Sequence, residues 1–193
     1  MLEELVRADK ELFLAIHHFR NGFLDIIMPA FTNRWIWIPL YAFFAWWLFN
    51  KFKFQILVIL PVVAVMVLVS DQGANLFKNN VQRSRPCHDV ELLKSSTIVT
   101  PNGCGGPYGF FSGHAANCFS LTVFMLLFVR KAQVKNWKHW LLLVVWATLV
   151  AWSRIYMGVH FPGDVLAGAL FGSCVGAAAY YGLNQFYFAK KHA

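Results

Sequence analysis

The chain has 193 residues, of which 58% are hydrophobic and only 13% are charged. Its mean hydropathy of +0.50 lies far from that of an ordinary soluble domain and indicates a protein built for a lipid bilayer. The net charge of +8 could suggest a nucleic-acid partner. The basic residues, however, stand in short clusters between apolar runs, so we predict no nucleic-acid binding and interpret the clusters as topology signals.

The N-terminal region is polar and acidic before it becomes apolar. Glu3, Glu4 and Asp9 take the place of the basic flank of a signal peptide, so we expect no segment to be removed. The next stretch, Glu11–Phe31, is interrupted by histidines and charges. It predicts an amphipathic interfacial helix with a short re-entrant piece, and a strained sixth span is the alternative.

Five apolar segments follow, and each is a predicted transmembrane helix. In chain order they are Trp35–Phe49, Phe54–Phe77, Ser112–Val129, Trp137–Tyr156 and Pro162–Phe188. The last four can cross about 30 Å of hydrocarbon, and the first is shorter but uncharged. We therefore predict an all-α, polytopic transmembrane helix bundle with five spans plus the N-terminal helix. No repeat, low-complexity tract or linker interrupts it, so residues 1–193 should form a single domain.

Basic residues between the apolar segments set the predicted orientation, because cytoplasmic loops carry the excess of lysine and arginine. Three clusters fall on the same side of a serpentine chain: Lys51 with Lys53, the run from Arg130 to Lys138, and Lys190 with Lys191. That side, with the C-terminus, is predicted to be cytoplasmic. The opposite side receives the long connection Lys78–Phe111 and the turn Arg154–Asp164.

Charged and imidazole side chains gather at the outer ends of the predicted spans, where a simple scaffold has no use for them. They are Lys78, Arg83, Arg85, His114, Arg154, His160 and Asp164. A serpentine bundle brings these ends to one face, so three distant stretches of sequence can build one site. Arg83 is the exception, because a lone arginine at a helix end often extends to lipid headgroups.

His160 and Asp164 are four residues apart around a predicted helix start at Pro162. A carboxylate in that first turn can orient the imidazole and leave its other nitrogen as a nucleophile. Taken alone, the pair is better explained as a surface histidine and a helix cap. Three cations, Lys78, Arg85 and Arg154, match a phosphoryl group, and the amides at Ser112-Gly113 open a helix where an anion is favoured.

These residues form a three-part signature: Lys78, six residues, Arg85-Pro86; Ser112-Gly113-His114; and Ser153-Arg154, five residues, His160, three residues, Asp164. The signature resembles that of the type 2 phosphatidic acid phosphatase superfamily, although Phe111 stands where the second motif usually has proline.

The resemblance implies a histidine nucleophile, His160, oriented by Asp164, with His114 protonating the leaving group. Lys78, Arg85, Ser112, the Gly113 amide and Arg154 would hold the phosphoryl oxygens. No metal and no other cofactor is implied. Histidines and a carboxylate are also metal-ligand types, but the nearby cations would repel a divalent ion.

The predicted function is therefore hydrolysis of a lipid phosphate, with the lipid itself as partner and no obligatory protein partner. Similarity to short bacterial members suggests undecaprenyl diphosphate at the outer face of the inner membrane, with lipid A or phosphatidylglycerol phosphate as alternatives. A transporter is a different class, but its charges usually lie near the bilayer midplane. A serine protease using Ser112 and His160 would have no need of three cations.

The outer connection Cys87–Phe111 is predicted to select the substrate, with His88, Asp89, Glu91 and Lys94 available to a headgroup, unless these are simply solvated. It also holds Cys87 and Cys104, whereas Cys118 and Cys174 fall within predicted spans. We expect a disulfide between the two loop cysteines on the oxidising side, and two free thiols are the alternative.

Overall fold

The computed structural model describes residues 2–95, 100 and 103–188, and over these residues the chain forms eight α-helices and no β-strand. The helices are α1 Leu2–His18, α2 Gly22–Thr32, α3 Ile38–Phe52, α4 Ile56–Val81, α5 Val90–Ser95, α6 Gly113–Lys131, α7 Leu142–Tyr156 and α8 Pro162–Leu183. Short 3₁₀ turns precede α3, α4, α5 and α7, and a π-turn, Asn184–Phe188, extends α8. The predicted all-α class is confirmed.

The N-terminal region is more helical than the sequence suggests. We predict a helix from about Glu11, but α1 begins at Leu2, and its first turn contains Glu3 and Glu4, whose charge favours the positive end of the helix dipole. One face of α1 buries Phe13 against the bundle. α1 contacts α7 and α8, so it packs onto the end of the bundle where α8 begins.

Within the described residues, three helical stretches are long and apolar enough to cross a membrane: Arg34–Val81, Gly113–Lys131 and Pro162–Phe188. The first stretch contains two predicted spans, α3 and α4. Lys53 separates them with a left-handed φ of 52°, and α3 packs against α4. α7 has 15 residues, roughly 22 Å of helix. By length it is a shorter apolar helix, as is α2. The chain is an integral membrane protein, and the count of five spans stays a prediction.

Among the described helices, α6 and α8 have the most extensive contact. Gly168, Gly172 and Gly176 recur every four residues on α8, and a Cβ on any of them would overlap a backbone carbonyl of α6. The facing carbonyls belong to Ser112, Ala116 and Ser120. This small-residue face serves helix packing, because only glycine allows the two backbones to approach so closely.

The two ends of the bundle differ in character. One end holds an aromatic core where α3 and α6 end and α4 begins, including Phe44, Phe128 and Phe188. The other end is where α4 and α7 finish and α6 and α8 start. Of the basic clusters, Lys51 and Arg130 lie at the aromatic end, and Lys190 with Lys191 lies outside the described residues.

Candidate active site

A cavity of about 490 Å³ opens at the polar end of the bundle. Its wall contains six of the eight residues that the sequence predicts for catalysis and phosphate binding: Lys78, Arg85, Gly113, His114, Arg154 and His160. The other two, Ser112 and Asp164, are fully buried behind the wall. Three distant stretches of sequence therefore converge on one cavity, because each carries its polar residues at a helix end.

His160 and Asp164 form the buried centre of the site. His160 is 2% exposed, and its Nδ1 lies 3.6 Å from Oδ2 of the fully buried Asp164. Nδ1 thus faces the carboxylate, slightly beyond hydrogen-bond length. Burial lowers the pKa of His160 to about 4; the neighbouring Asp164 opposes this shift and Arg154 adds to it. The imidazole is therefore neutral at pH 7, the state that a nucleophile requires.

The Asp164 carboxylate is fixed by further contacts. Its Oδ2 accepts a hydrogen bond at 3.0 Å from the backbone N–H of Phe161, which precedes α8. Its Oδ1 accepts one at 2.8 Å from Arg83, and the other guanidinium nitrogen of Arg83 donates to Asp9 at 2.6 Å. Asp9 also accepts a hydrogen bond at 2.7 Å from Gly163 N–H. A chain of charges therefore runs from α1 to the partner of the candidate nucleophile.

Sequence reasoning missed this chain of contacts. We expect Arg83 to extend to lipid headgroups, but it lies inward, with its guanidinium 4.3 Å from the centroid of the Phe161 ring. Asp9 is 74 residues from Arg83, and no periodicity signals such a contact. The only sequence signal was the presence of an additional arginine between Lys78 and Arg85.

The three predicted cations each enter the cavity wall from a different element. Arg154 closes α7, donates to the Thr32 hydroxyl at the end of α2, and keeps a buried Nε without a partner among the described residues. Lys78, in the last turn of α4, has no carboxylate at ion-pair distance in the described part of the chain. Such under-used donors around one cavity favour an anionic ligand.

Arg85 is held by the connection between α5 and α6. Its Nε donates to the Tyr108 carbonyl and its Nη1 to the Cys104 carbonyl, each at 3.1 Å. Burial lowers the pKa of Arg85, and the nearby Asp164 opposes this shift. The ordinary pKa of arginine is so high that the guanidinium stays charged. The structure contains a disulfide between Cys87 and Cys104, with a Cα–Cα distance of 6.0 Å, so the carbonyl that anchors Arg85 is covalently tied.

A short antiparallel contact closes the connection over the site. Ser84 pairs with Tyr108, and Gly109 N–H donates to the Arg83 carbonyl at 2.8 Å. A Cβ on Gly109 would lie 3.0 Å from Asp164 Oδ2 and 3.5 Å from His160 Nδ1. The close approach therefore favours glycine, and the backbone itself covers the His160–Asp164 pair.

The start of α6 supplies the second motif. Ser112 is the N-cap of α6, and its hydroxyl accepts a hydrogen bond from Ala115 N–H at 3.5 Å. Its backbone N–H donates to the Asp164 carbonyl at 3.0 Å, which ties the second motif to the third. Gly113 and His114 follow in the cavity wall. Ser112 thus caps and links helices here, and its predicted contact with phosphate stays a prediction.

The polar residues of the outer connection lie elsewhere. Asp89 and Glu91 pair with Lys10 of α1 at 3.0 and 2.6 Å, and His88 lies 3.3 Å from the Gly105 carbonyl. None of the described residues of Cys87–Phe111 lines the cavity. Within the described residues, Cys87, His88 and Cys104 are close enough to share a metal ion, but the disulfide leaves their two sulfurs without a thiolate to offer.

A neutral buried histidine backed by a carboxylate, beside cations with unused donors, is an arrangement suited to phosphoryl transfer. A sequence model of the PAP2 superfamily matches residues 56–188, and the chain belongs to this superfamily. It is a membrane lipid phosphatase, a hydrolase of lipid phosphate esters. The family expected from the three motifs is confirmed.

Individual relatives agree with this assignment. The chain is 33% identical to a lipid A 4'-phosphatase of Bacteroides thetaiotaomicron over 94% of its own length and 79% of the relative's. It is 29% identical to an undecaprenyl-diphosphatase of Sulfolobus acidocaldarius, covering 90% and 77% of the two chains. The crystal structure of a transmembrane PAP2-type phosphatidylglycerolphosphate phosphatase from Bacillus subtilis superposes with a TM-score of 0.72, at 24% identity and 95% and 88% coverage, and so shares the fold.

Proposed function

We propose that this protein removes a phosphate from the sugar headgroup of lipid A through a phosphohistidine intermediate on His160. The observation that carries the chemistry is the convergence of Lys78, Arg85 and Arg154 with both histidines on one cavity. Cations with unused donors stabilise the charge on the oxygens of a phosphoryl group in transit.

The residues divide the reaction between them. His160 Nε2 attacks phosphorus while the bond from phosphorus to the leaving sugar oxygen breaks, and His114 gives its proton to that oxygen. A water molecule then attacks the phosphohistidine, His114 takes its proton, and inorganic phosphate leaves with His160 regenerated. Asp164 holds the imidazole with Nδ1 directed to Oδ2. The Gly113 amide and the three cations hold the phosphoryl oxygens, and no step requires a metal.

Lipid A ranks above undecaprenyl diphosphate because the lipid A 4'-phosphatase shares more identity with this chain and covers more of it. This ranking reverses the order of the sequence analysis, which placed undecaprenyl diphosphate first. Undecaprenyl diphosphate is retained as the second candidate, since its phosphatase also matches over 90% of the chain.

The proposed location is the inner membrane of a bacterium, with the cavity facing the periplasm and the C-terminus in the cytoplasm. Support comes from Lys51 at the end of α3 and Arg130 at the end of α6, which lie at the opposite end of the bundle from the cavity. Basic residues favour the cytoplasmic side.

The test is phosphate release by purified protein from lipid A, undecaprenyl diphosphate and phosphatidylglycerol phosphate. We expect the highest kcat/KM on lipid A, and acid-quenched enzyme should carry an acid-labile phosphate on His160. His160→Asn and His114→Ala should each lower kcat by at least 10³-fold, on the order of a lost nucleophile or proton donor. His18→Asn is the matched control, because His18 is exposed and lies outside the cavity. Near-normal turnover by His160→Asn would refute the nucleophile assignment.

A further inference from the structure

A second group of polar residues lies in the wall of the same cavity. Asp71, Asn75 and Lys78 follow one another at helical spacing along α4 and therefore share one face. Asp71, Gln72, Asn75 and Asn117 all belong to the cavity wall. A carboxylate on a membrane helix is costly to place and usually serves a ligand, and the proposed phosphoryl chemistry does not use this one.

Asp71 is exposed in the cavity wall and is held by one neighbour. Asn117 of α6 donates from Nδ2 to Asp71 Oδ1 at 2.7 Å. Its amide is oriented by that bond, so its Oδ1 is an acceptor, and this buried oxygen has no partner in the part of the chain that the structure describes. A carboxylate has no donor of its own at neutral pH. The Asp71 carboxylate thus presents acceptors to the cavity and suits a ligand that supplies O–H or N–H groups.

This carboxylate lies next to the phosphate-binding cations. The position that a Cβ on Gly113 would occupy is 3.8 Å from Asp71 Oδ1 and 4.0 Å from Lys78 Nζ. A phosphoryl group held by Lys78 would therefore bring its leaving group within reach of Asp71. The charge of Asp71 repels a second phosphate, as in a diphosphate, and attracts hydroxyl donors.

We propose that Asp71 and Asn117 form a subsite that binds the hydroxyl or amide groups of the sugar ring that carries the scissile phosphate. The proposal rests on the proposed function and specifies its substrate class: a phosphorylated sugar lipid. The Asp71 carboxylate accepts hydrogen bonds from ring hydroxyls, and Asn117 orients that carboxylate through its Nδ2 donor.

The experiment compares binding of the whole substrate with binding of the phosphoryl group alone. Asp71→Asn and Asn117→Ala are assayed on lipid A, and orthovanadate serves as the probe of the phosphate site. We expect KM for lipid A to rise about tenfold in each variant, the effect of one lost hydrogen bond to a charged or buried partner. kcat and the inhibition constant for vanadate should stay within about twofold. Asn79→Ala is the matched control, since Asn79 is exposed on α4 outside the cavity wall.

Two results would overturn the subsite while leaving the proposed function standing. An equal loss of vanadate binding in Asp71→Asn would show that Asp71 acts on the phosphate site through Lys78. An unchanged KM in both variants would show that the pair does not bind the sugar. Failure of the proposed function appears instead in the unsubstituted protein, as hydrolysis of another lipid phosphate and none of lipid A, and it would remove the sugar subsite as well.

Discussion

Arg83 should be a positioning residue for the catalytic pair, and Arg83→Ala tests this. The guanidinium joins the fully buried Asp164 at 2.8 Å to Asp9 at 2.6 Å. Among the described residues, its removal leaves the Phe161 N–H as the remaining hydrogen-bond donor to the Asp164 carboxylate. We expect the carboxylate to lose its fixed orientation, and with it the alignment of Oδ2 with His160 Nδ1.

The structure sets the expected size of the effect. Removing one partner of a buried ion pair costs about 3–5 kcal/mol, and the lower end applies because the Arg83 side chain is 21% exposed. Part of that cost lowers stability and part lowers the rate. For a residue that orients a catalytic group through a hydrogen bond, a fall in kcat of about 10- to 100-fold is the usual range. KM should change less than about threefold, because Arg83 does not line the cavity.

The assay is steady-state phosphate release together with thermal unfolding in detergent. Arg83→Lys should recover part of the rate, since an ammonium can meet one carboxylate but lacks the fork that spans two. Arg7→Ala is the matched control: Arg7 lies on α1 like Asp9, and its ion pair with Glu11 is largely exposed. A kcat for Arg83→Ala within twofold of that of the unsubstituted protein would refute the positioning role. The role would also be refuted if Arg83→Lys lost as much kcat as Arg83→Ala and both variants were unfolded.

Three other predictions follow from the site. Phosphate release should survive chelation of divalent metals and be inhibited by vanadate, a mimic of the five-coordinate phosphoryl group; activity lost to chelator and restored by zinc or magnesium would contradict this. Because the pKa of His160 is lowered to about 4, kcat/KM should fall tenfold per pH unit only below about pH 4 as the nucleophile protonates, and an acid limb near pH 6.5 would contradict the shift. Mass spectrometry of unreduced, alkylated protein should find Cys87 and Cys104 linked and Cys118 free, and alkylation of both loop cysteines before reduction would refute the bridge.

The sequence predicts which residues share the cavity, because most of these residues stand at helix ends. Lys78, His114 and Arg154 each stand at the boundary of an apolar segment, and a serpentine chain must bring those boundaries together. The charge sign of the cluster then points to phosphate. Contacts between distant parts of the chain could not be predicted in this way. Asp9 contacts Arg83 and Gly163, but nothing in the acidic N-terminal segment distinguishes Asp9 from Glu3.

Local boundaries were also hard to predict where propensity and hydropathy disagree. The start of α1 is polar, so hydropathy reads it as a tail, whereas its acidic first turn favours a helix. Asp71 is difficult to recognise from the sequence because it lies in a long apolar segment, where one charge hardly changes the mean hydropathy. Its significance depends on Asn117 and the cavity, which only the packed helices bring together.

The glycine ladder between α6 and α8 constrains how the protein can accommodate different lipids. With Gly168, Gly172 and Gly176 seated on the carbonyls of α6, neither sliding nor separation of the two helices is available without breaking backbone contact. The α6–α8 pair, which carries His114 and Asp164, therefore behaves as one rigid unit. Adjustment to a bulkier headgroup falls to the other walls of the cavity, to which α2, α3, α4 and α7 contribute.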